Sequence, residues 1–131
     1  MNESEVGDWF VEYLSAFAAM GRGESQPGDV VAYYGAPFLF TSDDVVISLR
    51  TRDEVAALLQ SQMDAMVAAK YHHTKMLTSD VATVNRKTAL HRAELSRRRA
   101  DGTEINHMSV TYVITRESES FHISALLLHS P

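Results

Sequence analysis

The sequence predicts an α+β domain in which three N-terminal helices pack on the concave face of a curved, mostly antiparallel sheet. Three observations carry this reading. Apolar residues recur at spacings of three and four in two long stretches before residue 70, the spacing drops to two from Tyr71 onward, and Asp101-Gly102 marks a hairpin turn inside the second region. Helices that come first and strands that follow, each apolar on one side, bury those sides against each other in two layers.

The first helix is expected over residues 3 to 20. Val6, Trp9, Phe10, Tyr13, Leu14, Phe17 and Met20 form its stripe, Asn2 caps it with Glu5 three residues on, and Gly21-Arg22-Gly23 stops it. Pro27 is placed to open a short second helix through Val30, Val31, Tyr33 and Tyr34, ended by Gly35 and Pro37. Phe38-Leu39-Phe40 reads as extended, Ser42-Asp43-Asp44 as a turn, and Val45-Val46-Ile47 as the return strand of a hairpin. Thr51-Arg52-Asp53-Glu54 is a capping-box pattern that opens a third helix, with Val55, Leu58, Leu59, Met63, Met66 and Val67 on its buried side as far as Lys70. Four strands follow at about 71 to 84, 88 to 98, 104 to 115 and 120 to 129.

Taking Asp101 and Gly102 as the two central turn residues sets a register. Leu95 then faces Met108, Ala93 faces Val110, His91 faces Tyr112 and Ala89 faces Ile114, all on one apolar side. Arg92 against Thr111, Glu94 against Ser109 and Ser96 against His107 make the other side, a solvated or interface surface. A slip of one residue would mix the two sides. Phe121, Ile123, Ala125, Leu127 and His129 are expected to continue the apolar side on the last strand.

Composition narrows the function classes. A length of 131 residues suits a single domain spanning 1–131. With no cysteine, disulfides, thiolate nucleophiles and cysteine metal sites drop out, and a reducing cytoplasm is the natural setting. A net charge of −5 argues against nucleic acid as a partner, and the absence of a long apolar run argues against a membrane. His72 and His73, as strand neighbours, are expected to point to opposite faces, as are His91 and His107, so no metal site is expected. Arg97, Arg98 and Arg99 read as a solvated run. Neither a glycine-rich phosphate loop nor a nucleophile elbow occurs, and no cofactor is implied.

The helix, helix, hairpin, helix, meander order, the Thr51-to-Val55 helix opening and Arg99-Ala100-Asp101-Gly102 before Val110-Thr111-Tyr112-Val113-Ile114 resemble the nuclear-transport-factor-2-like superfamily, in its SnoaL-like branch. Phe121-His122-Ile123 adds to the likeness, which covers nearly the whole chain. The resemblance implies a cone-shaped pocket, a homodimer formed through the convex side of the sheet, and a range of activities, from ketosteroid isomerases and polyketide cyclases to binding proteins, so function has to be argued from the site. Against the ketosteroid isomerases, Tyr13 matches the oxyanion-binding tyrosine, the base would fall near Ser42 or Asp43, and the protonated carboxyl would fall at Tyr112. The two carboxylates of that chemistry are absent or displaced.

The candidate catalytic residues are therefore His91, as acid or base, Tyr13 and Tyr112, as hydroxyl donors, and Asp43 at the pocket mouth. Trp9 and Phe17, then Tyr34, Phe38 and Phe40, then Leu59 and Met63 are expected to line the pocket from the helical half. From the sheet come Ala93, Leu95, Met108, Val110, Ala125 and Leu127. Two function classes fit such a pocket: an acid-base lyase, isomerase or cyclase acting on an apolar carbonyl-bearing substrate, and a non-catalytic module that binds a small apolar or polycyclic molecule.

Overall fold

A computed structural model describes all 131 residues. Helix α1 (Glu3–Gly21) leads through two 3-10 turns, Pro27–Asp29 and Val31–Tyr33, to a hairpin of β1 (Tyr34–Thr41) and β2 (Val46–Leu49). Helix α2 (Arg52–Ala68) follows, and then the meander β3 (Tyr71–Asn85), β4 (Thr88–Arg99), β5 (Glu104–Glu117) and β6 (Ser120–Leu128). The six strands form one sheet in the order β2-β1-β6-β5-β4-β3, parallel only between β1 and β6. This is the expected α+β cone. No helix is long and apolar enough to cross a membrane.

The helices begin where side chains can satisfy their first free N–H groups. Asn2 Oδ1 accepts from the Glu5 N–H at 2.9 Å, and Thr51 Oγ1 accepts from the Glu54 N–H at 3.2 Å. The expected box at Thr51 is only half closed, because Glu54 Oε1 accepts from the Thr51 hydroxyl and not from its backbone. Helix α1 buries Val6, Phe10, Tyr13, Phe17 and Met20, and α2 buries Val55, Leu59 and Met66, whereas Val67, expected on that stripe, stands half exposed. Arg99 Nε donates to the Ala69 carbonyl at 2.9 Å and ties the end of α2 to β4.

The short second helix is a correction. Its residues make two separate 3-10 turns, and Tyr34, Gly35 and Pro37 belong to β1. Proline is tolerated there because the pairing of β1 with β6 is irregular between Tyr34 and Leu39, so no regular ladder needs its missing N–H.

The β4–β5 register is as expected at all seven pairs, His91 with Tyr112 among them. Its turn differs. Gly102 N–H donates to the Arg99 carbonyl at 3.0 Å, Arg99 N–H donates to the Thr103 carbonyl at 2.9 Å, and Gly102 takes φ 87°, so the loop holds three residues and not two. The offset is cancelled at once by a bulge at Ile105, since Arg98 pairs with Glu104 and Arg97 with Asn106. Strand β6 departs from the expected alternation: Ile114 pairs with Ile123 but Val113 with Ala125, which leaves Ser124 as an extra residue. Beyond that bulge the faces exchange. Leu126 and Leu128, opposite Tyr112 and Val110, are concave, and Ala125 and Leu127, opposite Val113 and Thr111, are convex.

Candidate functional site

A cavity of about 290 Å³ lies between both helices and the concave face. Tyr13 and Phe17 reach it from α1, and Leu58, Leu59 and Gln62 from α2. Tyr34, Phe38 and Phe40 come from β1, Ile47 from β2 and Arg97 from β4, while Met108 and Tyr112 of β5 and Leu126 and Leu128 of β6 complete the wall. Twelve of the fourteen lining residues are hydrophobic, so the polar groups that remain decide what the cavity can recognise.

Those groups are three tyrosine hydroxyls, the Gln62 amide and the Arg97 guanidinium. The hydroxyls of Tyr13 and Tyr34 are hydrogen-bonded to each other across the cavity wall. The Tyr112 hydroxyl has no protein partner although its residue is 4 % exposed. Burial raises the pKa of Tyr13 and Tyr112 well above the ordinary tyrosine value and also raises that of Tyr34, while the positive charge of Arg97 pulls all three back in part. All three rings stay protonated at neutral pH. One proton joins Tyr13 to Tyr34, and the Tyr112 proton is free for an acceptor in the cavity.

Arg97 is half-buried and lies over the Phe17 ring, 5.2 Å from its centroid. No carboxylate forms an ion pair with it. The arginine run is thus not simply solvated: Arg97 faces the cavity, Arg98 Nε donates to Ser96 Oγ at 3.0 Å, and Arg99 holds the end of α2.

His91 sits on the concave face, but the cavity does not reach it. The Phe10 ring lies edge-on across its imidazole with centroids 4.1 Å apart, and His91 is 1 % exposed. Its Nε2 is 2.7 Å from Ser79 Oγ, not bonded to Tyr112, and its Nδ1 is buried with no partner. Burial lowers its pKa, and Asp80 offsets this in part, so the neutral imidazole is the folded form. Asp43 is exposed in the β1–β2 turn, where it accepts a 2.6 Å hydrogen bond from the Ser130 hydroxyl and takes no part in the cavity wall.

Of the expected lining residues, Phe17, Tyr34, Phe38, Phe40, Leu59 and Met108 come together around Tyr13 and Tyr112. Ala93, Leu95 and Val110 are buried in the core, Met63 packs against it, and Ala125 and Leu127 turn away through the bulge. Trp9 lies outside, against Tyr33 and Phe121, in an open groove of about 590 Å³ rimmed by Glu5, Asp8, Glu12 and Glu119. Ile47, Leu58, Gln62, Arg97, Leu126 and Leu128 are additions. For Arg97 a signal existed, because it continues the alternation of Ala89, His91, Ala93 and Leu95. His72 and His73 also need correcting. A bulge between Tyr71 and His73 breaks the alternation and brings their Nδ1 atoms within 3.0 Å of each other, although no third ligand joins them.

The family model described as NTF2-like protein (DUF6841) matches residues 3–131. None of the curated proteins matches the chain in sequence. Among solved structures, a domain of unknown function with a cystatin-like fold from Nostoc punctiforme superposes with a TM-score of 0.71 at 20 % identity, covering 100 % of this chain and 80 % of that one. An NTF-2 like protein of unknown function from Shewanella oneidensis gives 0.69 at 13 % identity, covering 95 % and 98 %. An NTF2-like protein with a cystatin-like fold from Novosphingobium aromaticivorans gives 0.72 at 15 % identity, covering 96 % and 79 %. At these identities the likeness is one of fold.

Proposed function

The chain belongs to the NTF2-like protein family, and we propose that it is a small-molecule-binding protein whose cavity takes an apolar ligand with one oxygen function directed at Tyr112. The observation that carries this reading is the unpartnered Tyr112 hydroxyl in an otherwise apolar wall. The hydroxyl opens into the cavity, where a ligand oxygen can take its hydrogen bond in place of water. Acid-base catalysis needs a base within reach of the substrate, and the wall holds no carboxylate or imidazole, which favours binding over turnover. A place in the SnoaL-like branch is part of the same reading, on the Thr51-to-Val55 helix opening and the Arg99-to-Gly102 turn.

Calorimetric titration with straight-chain ketones and alcohols of increasing length tests the pocket. Binding is expected for the shorter members, and Met108→Trp should abolish it by filling the cavity. Tyr112→Phe should weaken it by roughly 2- to 10-fold, the net value of one hydrogen bond. If no member of either series binds, the pocket reading is wrong.

The other face supports a second proposal, a homodimer. Leu39, Ala125, Val113, Leu90 and Ala82 stand side by side across the convex face, one from each of five adjacent strands. Ala125 is recessed at 8 % exposed, and the row around it, with Arg92, Glu94, Ser109 and Thr111 beside it, suits a second copy. Ser96 is withdrawn from that surface: it is 0 % exposed and hydrogen-bonded to Glu104. Sedimentation at micromolar concentration is expected to show a dimer that Val113→Glu returns to monomer, and a purely monomeric parent protein would end the proposal.

A further inference from the structure

We infer that the cavity recognises the anionic end of its ligand, a carboxylate gripped by Arg97, so that the ligand class is a small apolar monocarboxylic acid. This inference rests on the pocket reading above and sharpens it. Arg97 lines a wall that is otherwise almost wholly apolar, and no carboxylate of the chain pairs with it. The chain has 17 acidic against 12 basic side chains, so the missing partner does not reflect a shortage of carboxylates. The guanidinium is half-buried beside apolar side chains, where its donors face the cavity and an anion can meet them in place of water.

Phe17 beneath the guanidinium holds its position without neutralising its charge. Arginine presents a planar fork of donors that a carboxylate can accept in pairs. The free Tyr112 proton and the Gln62 amide are further donors on the same wall. One cation suits one negative charge. A phosphate would bring more charge than the wall can answer, and the remaining lining suits a hydrocarbon or aryl body. The volume, about 290 Å³, lies at the small end of ligand cavities and fits a medium-chain or single-ring acid better than a polycyclic one.

Octanoate and 1-octanol, which share a chain and differ in charge, provide the test by titration calorimetry at pH 7. The expected result is a preference for octanoate of roughly 10- to 100-fold, the usual value of a hydrogen bond to a charged group. Arg97→Gln should remove that preference, and Arg97→Lys should keep part of it, as a point charge without the fork. Circular dichroism of each variant separates lost recognition from lost fold. Equal affinity of the parent protein for acid and alcohol overturns the inference and leaves the pocket standing. A preference that survives in Arg97→Gln overturns it as well, since the anion is then held elsewhere. Binding of neither compound overturns the pocket reading together with this one.

Discussion

Replacing Phe10 with alanine is expected to lower the stability of this domain by about 3 to 5 kcal/mol, the range for removing a fully buried aromatic ring. Phe10 is 0 % exposed and is the centre of the contact between α1 and the sheet. Its ring meets His91 at 4.1 Å, Tyr112 at 4.8 Å and Tyr13 at 5.4 Å between centroids. Truncation would open a void beside an imidazole whose Nδ1 already has no partner, and the β4–β5 ladder leaves the strands little freedom to close it. Domains of this size are stable by only about 5 to 15 kcal/mol, so the loss is a large fraction of the total. It should appear as a fall in melting temperature of roughly 10 to 20 °C. Val11, the next residue, is 58 % exposed, and its replacement by alanine should change stability by less than about 0.5 kcal/mol. Equal effects at the two positions, measured by denaturant titration, would mean that α1 is not docked through this face.

The comparison of neighbours on one helix also shows what the sequence made legible. The stripe of α1 and the register of β4 on β5 were both readable, because each rests on two patterns that must agree. In the second case the apolar alternation of Ala89 to Leu95 had to match that of Met108 to Ile114. That agreement survived a wrong turn length, since the longer loop at Gly102 and the bulge at Ile105 cancel. On β6 nothing supplied a second pattern. Ser124 looks like any outward-facing serine in an alternating strand, and only its neighbours in space reveal it as a bulge that moves Leu126 and Leu128 into the cavity.

Alternation also reports a face and not a depth. The alternation puts His91 on the concave side of the sheet, where its cross-strand partner Tyr112 also lies, yet whether a ligand can touch it depends on Phe10, eighty-one positions earlier, which lies across the ring. Arg97 shows the reverse case. Its face follows from the same alternation, but its two arginine neighbours make the run look like solvated surface, and only the packing of α1 and α2 above it creates the cavity that its charge faces.

Gly21 offers a prediction in which two opposite effects can be weighed. It is the last residue of α1 and is buried, and glycine in a helix normally costs about 0.5 to 1 kcal/mol relative to alanine. On propensity alone, Gly21→Ala should stabilise the domain. The surroundings reverse the sign. A Cβ at this position would lie 2.6 Å from both Cδ1 and Cε1 of Tyr71, well inside contact distance. That ring cannot easily retreat. It is 4 % exposed, its hydroxyl is hydrogen-bonded to Thr74 Oγ1 at 2.7 Å, and Phe17 packs edge-on against it with centroids 6.3 Å apart. Overpacking of this kind costs about 1 to 3 kcal/mol, which outweighs the helical gain and leaves a net loss of about 0.5 to 2 kcal/mol. In a Tyr71→Ala background the obstacle is gone, and Gly21→Ala should then stabilise by up to about 1 kcal/mol. Urea titration of the four proteins closes a double-mutant cycle whose coupling isolates the clash. If alanine at position 21 is neutral or stabilising with Tyr71 in place, α1 does not end against this ring.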